Sequence, residues 1–163
     1  MFRKRSVRVR VVRGKPNGGF TFVFGRLEQE ARYVRQHSTE AVGLLVVVDG
    51  DQAGFQRRLA EIQGILHKAG FSTKKPDRIA VCVPSRNVET WNLWLCGIRD
   101  LDEQANFKNR FRNEVKHTVR RGQLAEAWLS PLSEEQRQTE ETTLPALASG
   151  RAEIDRLKKL AKS

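Results

Sequence analysis

The stretch LLVVVDGDQAGF, Leu44 to Phe55, decides how this chain is read. Five aliphatic residues in succession, Leu44 to Val48, suit a strand covered on both faces in a parallel sheet. Asp49 and Asp51 follow at once with only Gly50 between them. Open α/β sheets place their ligands just past the carboxyl ends of their strands. Two positions apart on an extended segment, both carboxylates project from the same side, and Gly50 lets a ligand approach the backbone closely. Paired carboxylates supply the oxygen ligands that magnesium prefers. The plainer reading is a polar turn in which Asp51 caps a helix starting near Ala53.

Working outward, Phe55, Leu59, Ile62, Leu66 and Ala69 share one face of a helix over Ala53–Ala69, with Gly70 as its stop. RIAVCV, Arg78 to Val83, reads as a second strand ended by Pro84. A short helix then carries NVETWNLWLCG, with Val88, Trp91, Leu95 and Ile98 on one stripe. Upstream, SVRVRVV (Ser6–Val12) alternates as a strand near an edge, and RGKPNGG (Arg13–Gly19) is a loop. Val23, Phe24, Leu27, Ala31 and Val34 predict a helix from Phe20 to about Gln36. Such alternation implies an α/β fold with a parallel sheet and right-handed crossovers. Beyond Ile98 the chain turns polar and helical. SPLSEEQRQTEETTLPALASG (Ser130–Gly150) reads as a flexible connection before a final amphipathic helix, Arg151–Ala161. No internal repeat and no low-complexity tract stands out.

The second strand leads into a second polar stretch, VCVPSRNVETWNLWL, at the same end of a parallel sheet as the DGD loop. Glu89 there supplies a third carboxylate or orients a bound water. The helix dipole alone would also favour a glutamate in that first turn. Arg86 offers paired donors to a phosphate. Trp91 falls on the apolar stripe and reads as core, Trp94 as partly exposed. Seven basic side chains precede Gly18, namely Arg3, Lys4, Arg5, Arg8, Arg10, Arg13 and Lys15, and no acidic residue occurs before Glu28. They form either a patch that tracks a phosphate backbone or a solvated basic arm. RGKPNGGFT lacks the order of a phosphate-binding loop.

The 163 residues suffice for one α/β domain with a real core. The net charge of +11 favours a polyanionic partner, nucleic acid first and an anionic membrane surface second. No apolar run approaches the roughly 18 residues of a bilayer span, and no apolar h-region follows the basic N-terminus. Cys82 and Cys96 are too far apart for a zinc motif, and both read as buried free thiols of a reducing cytoplasm. His37, His67 and His117 have no second ligand at metal spacing.

Strand–DGD, helix, then strand–PSRNVETW resembles the Toprim-like (topoisomerase–primase) metal-binding domains, closest to small bacterial members related to phage-defence proteins. LLVVVDGD matches the aspartate-bearing strand of that family, and IAVCVPSRNVETW the next strand with its Glu-Thr-Trp. The resemblance runs from the N-terminus through about Lys108 and more loosely through LPALASGRAEIDRL. It implies a parallel-sheet, three-layer α/β core over residues 1–108 and a helical C-terminal extension over 109–163. It also implies Mg²⁺ or Mn²⁺ on Asp49, Asp51 and Glu89. The family's strand–Glu–helix unit ahead of the DxD has no counterpart here, because Glu28 and Glu30 fall in the middle of a predicted helix.

Two functions follow as expectations. The first is a magnesium-dependent nuclease or phosphoryl-transfer protein, cytoplasmic, of the phage-defence kind. Asp49, Asp51 and Glu89 are then catalytic and metal-bound, while Arg86, Arg8, Arg10, Arg13, Lys15 and Lys108 hold nucleic acid. The second is a non-catalytic nucleic-acid-binding or assembly module that keeps the fold without a complete site, with a protein partner or a second copy. A small-phosphate-binding protein is a weaker third, since nothing specifies a base or ribose pocket.

Overall fold

A computed structural model of the protein describes residues 19–72, 77–117, 119 and 123–160. The strand expected at Ser6–Val12 and the basic residues Arg8, Arg10, Arg13 and Lys15 lie outside the described residues. The described chain is α/β, mostly helical, with a small parallel sheet of two strands. The elements are α1 (Gly19–Gln36), β1 (Leu44–Val47), α2 (Gly54–Lys68), β2 (Ile79–Cys82) and α3 (Val88–Leu95). Then come α4 (Lys108–Arg110), running into a π turn at Phe111–Val115, α5 (Gln123–Leu129), α6 (Glu134–Thr143) and α7 (Pro145–Leu160).

The predicted helices form where the apolar periodicity places them. Leu27, Ala31 and Val34 of α1 and Ile62 and Leu66 of α2 are buried. They meet Val46, Val48, Ile79, Val81 and Val83 on one face of the sheet, with Phe71 completing the cluster. Gly70 ends α2 with φ 79°, a left-handed backbone that glycine takes without steric cost. Its N–H bonds to the His67 carbonyl at 3.0 Å and the Phe71 N–H to that of Leu66 at 2.8 Å. The pair forms a Schellman stop closed by the buried Phe71.

The second cluster unites Cys82 of β2 with Trp91, Leu93 and Trp94 of α3, and with Leu144, Ala146 and Leu147. Gly150 allows α7 this close: a Cβ there would stand 3.1 Å from the Trp91 ring and 3.5 Å from Cys82 Sγ. Burial also pushes the Cys82 thiol up to about 12. α7 further occupies the edge of β2 that faces away from β1. Glu153 accepts from the Val81 N–H at 3.4 Å, and Arg156 donates to the carbonyl of Ile79. Covering a strand edge in this way removes a template for unwanted pairing.

Four expectations are corrected. Ser130–Gly150 is no flexible connection: Ser133 and Gln136 form a reciprocal capping box that starts α6, and α7 begins at Pro145, not at Arg151. Glu140 on α6 explains the ordering, for it is only 3% exposed and accepts from Trp94 Nε1 at 3.1 Å and Arg151 Nε at 2.8 Å. That contact buries Trp94 as well, contrary to its expected exposure. Cys96 is exposed, because α3 ends at Leu95 and the chain turns out through Gly97. β1 is covered on one face only. Leu45 and Val47 are 48% and 46% exposed, since α7 packs chiefly on β2.

Candidate functional site

The register Leu44↔Ile79 through Val47↔Cys82 brings both polar loops to the same end of the sheet. The ladder continues past the strands. Gly50 N–H bonds to the Pro84 carbonyl at 2.8 Å and Asp51 N–H to that of Arg86 at 2.9 Å. Gly50 is required by this close approach, since a Cβ would lie 2.4 Å from the Ser85 carbonyl oxygen and 2.7 Å from that of Pro84. The two loops are therefore locked together by their backbones before any side chain acts.

Asp49 is half-buried, and its Oδ1 accepts from the Val88 N–H at 2.9 Å. It thereby caps α3, whose own N-cap residue Asn87 makes no side-chain cap. The cap that the plainer reading gives Asp51 does not form: α2 starts at Gly54 without a side-chain cap. Asp51 instead takes φ 49°, a left-handed conformation uncommon outside glycine, asparagine and aspartate. It is exposed, so the two aspartates leave an irregular turn and do not project in parallel from an extended strand. Burial raises the Asp49 carboxyl above its usual range, opposed by the Val88 N–H. Glu89 and Asp51 raise it further and Lys108 lowers it.

Glu89 lies in the first turn of α3. Its Oε2 is buried and bonds to no protein group, as are Asn87 Oδ1 and Thr90 Oγ1. Three unmatched oxygens on four successive residues stand out against the rule that buried polar atoms find partners. Arg86, half-buried, has no ion-pair partner among the described residues, and its carbonyl is the acceptor for Asp51. A cleft of about 290 Å³ between the start of α1 and the DGD loop is lined by Phe20, Val23, Val47, Val48, Asp49, Asp51 and Val88. Among the described residues, no three His, Cys, Asp or Glu side chains form a group that could hold a metal ion. Asp49, Asp51 and Glu89 are thus neighbours without forming a ready-made chelate.

Sequence reasoning missed the loop that supports this end of the sheet. Glu103 is only 5% exposed, and accepts from Ser85 Oγ at 2.8 Å and Trp91 Nε1 at 3.3 Å. It also takes the N–H groups of Ala146 at 3.2 Å and Leu147 at 3.1 Å, the free donors at the start of α7. Asn106 Oδ1 accepts from Asn87 Nδ2 at 3.2 Å and from the Lys108 N–H at 3.1 Å. That bridge ties the Lys108 backbone to Asn87, the residue before the Val88 N–H that Asp49 caps. Periodicity could not have revealed either residue, since DEQAN reads only as a polar turn. The comparisons with protein-family models, characterised proteins and solved structures return no match to this chain.

Proposed function

We propose that the protein is a Mg²⁺- or Mn²⁺-dependent phosphoryl-transfer protein of nuclease type, acting on nucleic acid. The observation that carries this reading is Asp49. It stands at the end of a strand with one covered face, partly desolvated, with one oxygen capping α3 and the other bonded to no group among the described residues. Asp51 and Glu89 lie on the same two loops, Arg86 lends its carbonyl to the Asp51 N–H, and Asn106 ties Lys108 to Asn87 beside them. The donor set fits a hard divalent cation, because every atom on offer is oxygen and Glu89 Oε2 is buried without a partner. Asp49 would hold the ion, with Asp51 and Glu89 completing its shell after side-chain rotation. Such an ion supplies Lewis-acid polarisation of a phosphate oxygen. Arg86 and Lys108 would bind the remaining phosphate oxygens.

We further read α1 and α2 on one face of the sheet and α3 and α7 against β2 on the other as a Toprim-like three-layer plan, and the phage-defence setting rests on that resemblance alone. One observation favours the second reading, a non-catalytic nucleic-acid-binding module: no three carboxylates stand in a metal-holding group among the described residues. Calorimetric titration of Mn²⁺ separates the two. Saturable binding that is lost in Asp49→Ala/Asp51→Ala supports the enzyme. Equal binding in both proteins, or none in either, leaves the DGD loop as a turn that caps α3.

A further inference from the structure

The segment FKNRFRNEVKHTV, Phe107 to Val119, holds a short recurrence. Quartets FKNR, FRNE and VKHT repeat an apolar residue, then a cation, then an amide or imidazole. Each position has its own place. Phe107, Phe111, Val115 and Val119 pack against the second core cluster. Lys108, Arg112 and Lys116 are all exposed, and so are Asn109, Asn113 and His117. The fourth positions Arg110 and Glu114 pair with each other at 3.1 Å.

An ordinary α-helix would skew such rows, because 3.6 residues per turn drifts about 40° over four residues. The π turn corrects the drift. The Lys116 N–H bonds to the Phe111 carbonyl at 2.9 Å, five residues back, and this wider turn rotates Lys116 back towards line with Lys108. Among the described residues Arg112 and Lys116 have no ion-pair or side-chain hydrogen-bond partner. Lys108, at one end of the row, is tied through Asn106 to Asn87, the residue before the Val88 N–H that Asp49 accepts. No carboxylate interrupts the row, and the helix spends its apolar side on the core, leaving none to enter a membrane.

We propose that the row Lys108–Arg112–Lys116 is a track for a nucleic-acid phosphate backbone leading to the DGD loop, with Asn109, Asn113 and His117 beside it to bond sugar or base edges. The cations neutralise phosphates at helical intervals, and amides are the side chains suited to base edges. This inference rests on the DGD loop being a site that acts on nucleic acid, and it names where that substrate lies.

The test is fluorescence anisotropy in EDTA, where no metal site takes part, with labelled oligothymidylate, its ribonucleotide counterpart and a short DNA duplex as probes. The variant Arg112→Gln/Lys116→Gln is compared with Lys68→Gln/Lys159→Gln, which removes two exposed charges from α2 and α7. The track predicts an affinity loss of about tenfold or more in the first variant. Its salt slope on a single strand falls by about 1.4, two contacts at about 0.7 each, or by about 1.8 on duplex. The control variant keeps the wild-type slope. The probe with the largest loss identifies the backbone recognised. Equal losses in both variants, no binding by wild type to any probe, or tighter binding to phosphatidylserine vesicles overturns the track. Failure of Mn²⁺ binding with the track intact would sink the metal site alone.

Discussion

Asp49 does two jobs that pull against each other. As the cap of α3 it accepts one N–H, and as a partly desolvated carboxylate among other acids it resists ionisation. A carboxyl raised by burial keeps its proton in the folded state at pH values where the unfolded chain releases it. Stability from this group is therefore fully present below the unfolded value and is lost as pH rises through the folded value. Asp49→Asn keeps the Val88 bond through its amide oxygen and removes the charge. It should unfold at higher urea than wild type at neutral pH, with the advantage shrinking as pH falls towards the ordinary carboxylate range. Saturating Mn²⁺ should reverse the order, because wild type then gains about 2.7 kcal/mol at a hundredfold excess over Kd and the variant gains little. Lower stability of the variant at neutral pH without metal would show the ionised cap to outweigh its desolvation. The DGD pair was legible in the sequence as a pair. Its division of labour was not, since the left-handed turn at Asp51 and the cap on α3 depend on a strand 35 residues on, through the register Leu44↔Ile79.

At the scale of elements, helices with a clear apolar stripe form where expected, and both strands lie inside their predicted runs. The failures share one cause. α6 is polar over most of its surface, and its buried residue is Glu140, which a hydrophobic pattern scores as solvent-facing. The loop after α3 is likewise organised by a buried carboxylate. Glu103 ties Ser85, Trp91 and the first turn of α7 through four donors. Glu103→Gln removes the charge and turns an N–H₂ group towards those donors. The expected cost is about 2–4 kcal/mol in urea unfolding followed by tryptophan fluorescence, since bonds to a charged acceptor contribute about 1.5–3 kcal/mol each. A loss of a few tenths would mean that the helix start and Ser85 find other partners.

For the whole molecule, α6 and α7 close the core. α7 covers the Cys82 face of β2 and its free edge, and Arg151 joins Glu140 to the carbonyl of Trp128 at 2.8 Å. A chain ended at Ser130 exposes Trp91, Trp94 and Cys82 together, along with an unpaired strand edge. It should lose its cooperative thermal transition and bind ANS, as expanded states with exposed cores do. A sharp transition with unchanged near-ultraviolet dichroism would show that residues before Ser130 fold by themselves. No helix among the described residues is long and apolar enough to cross a membrane.

The sequence by itself determined the α/β class, the two strands and the nearness of the DGD and SRNVE loops, because strand and helix periodicities are local and parallel strands share an end. Tertiary structure alone decided which carboxylates are buried, which is capped and which is free. Those properties depend on partners such as Val88, Glu103, Asn106 and Glu140, brought together across dozens of residues by packing. No periodicity along the chain encodes the electrostatics of such a meeting.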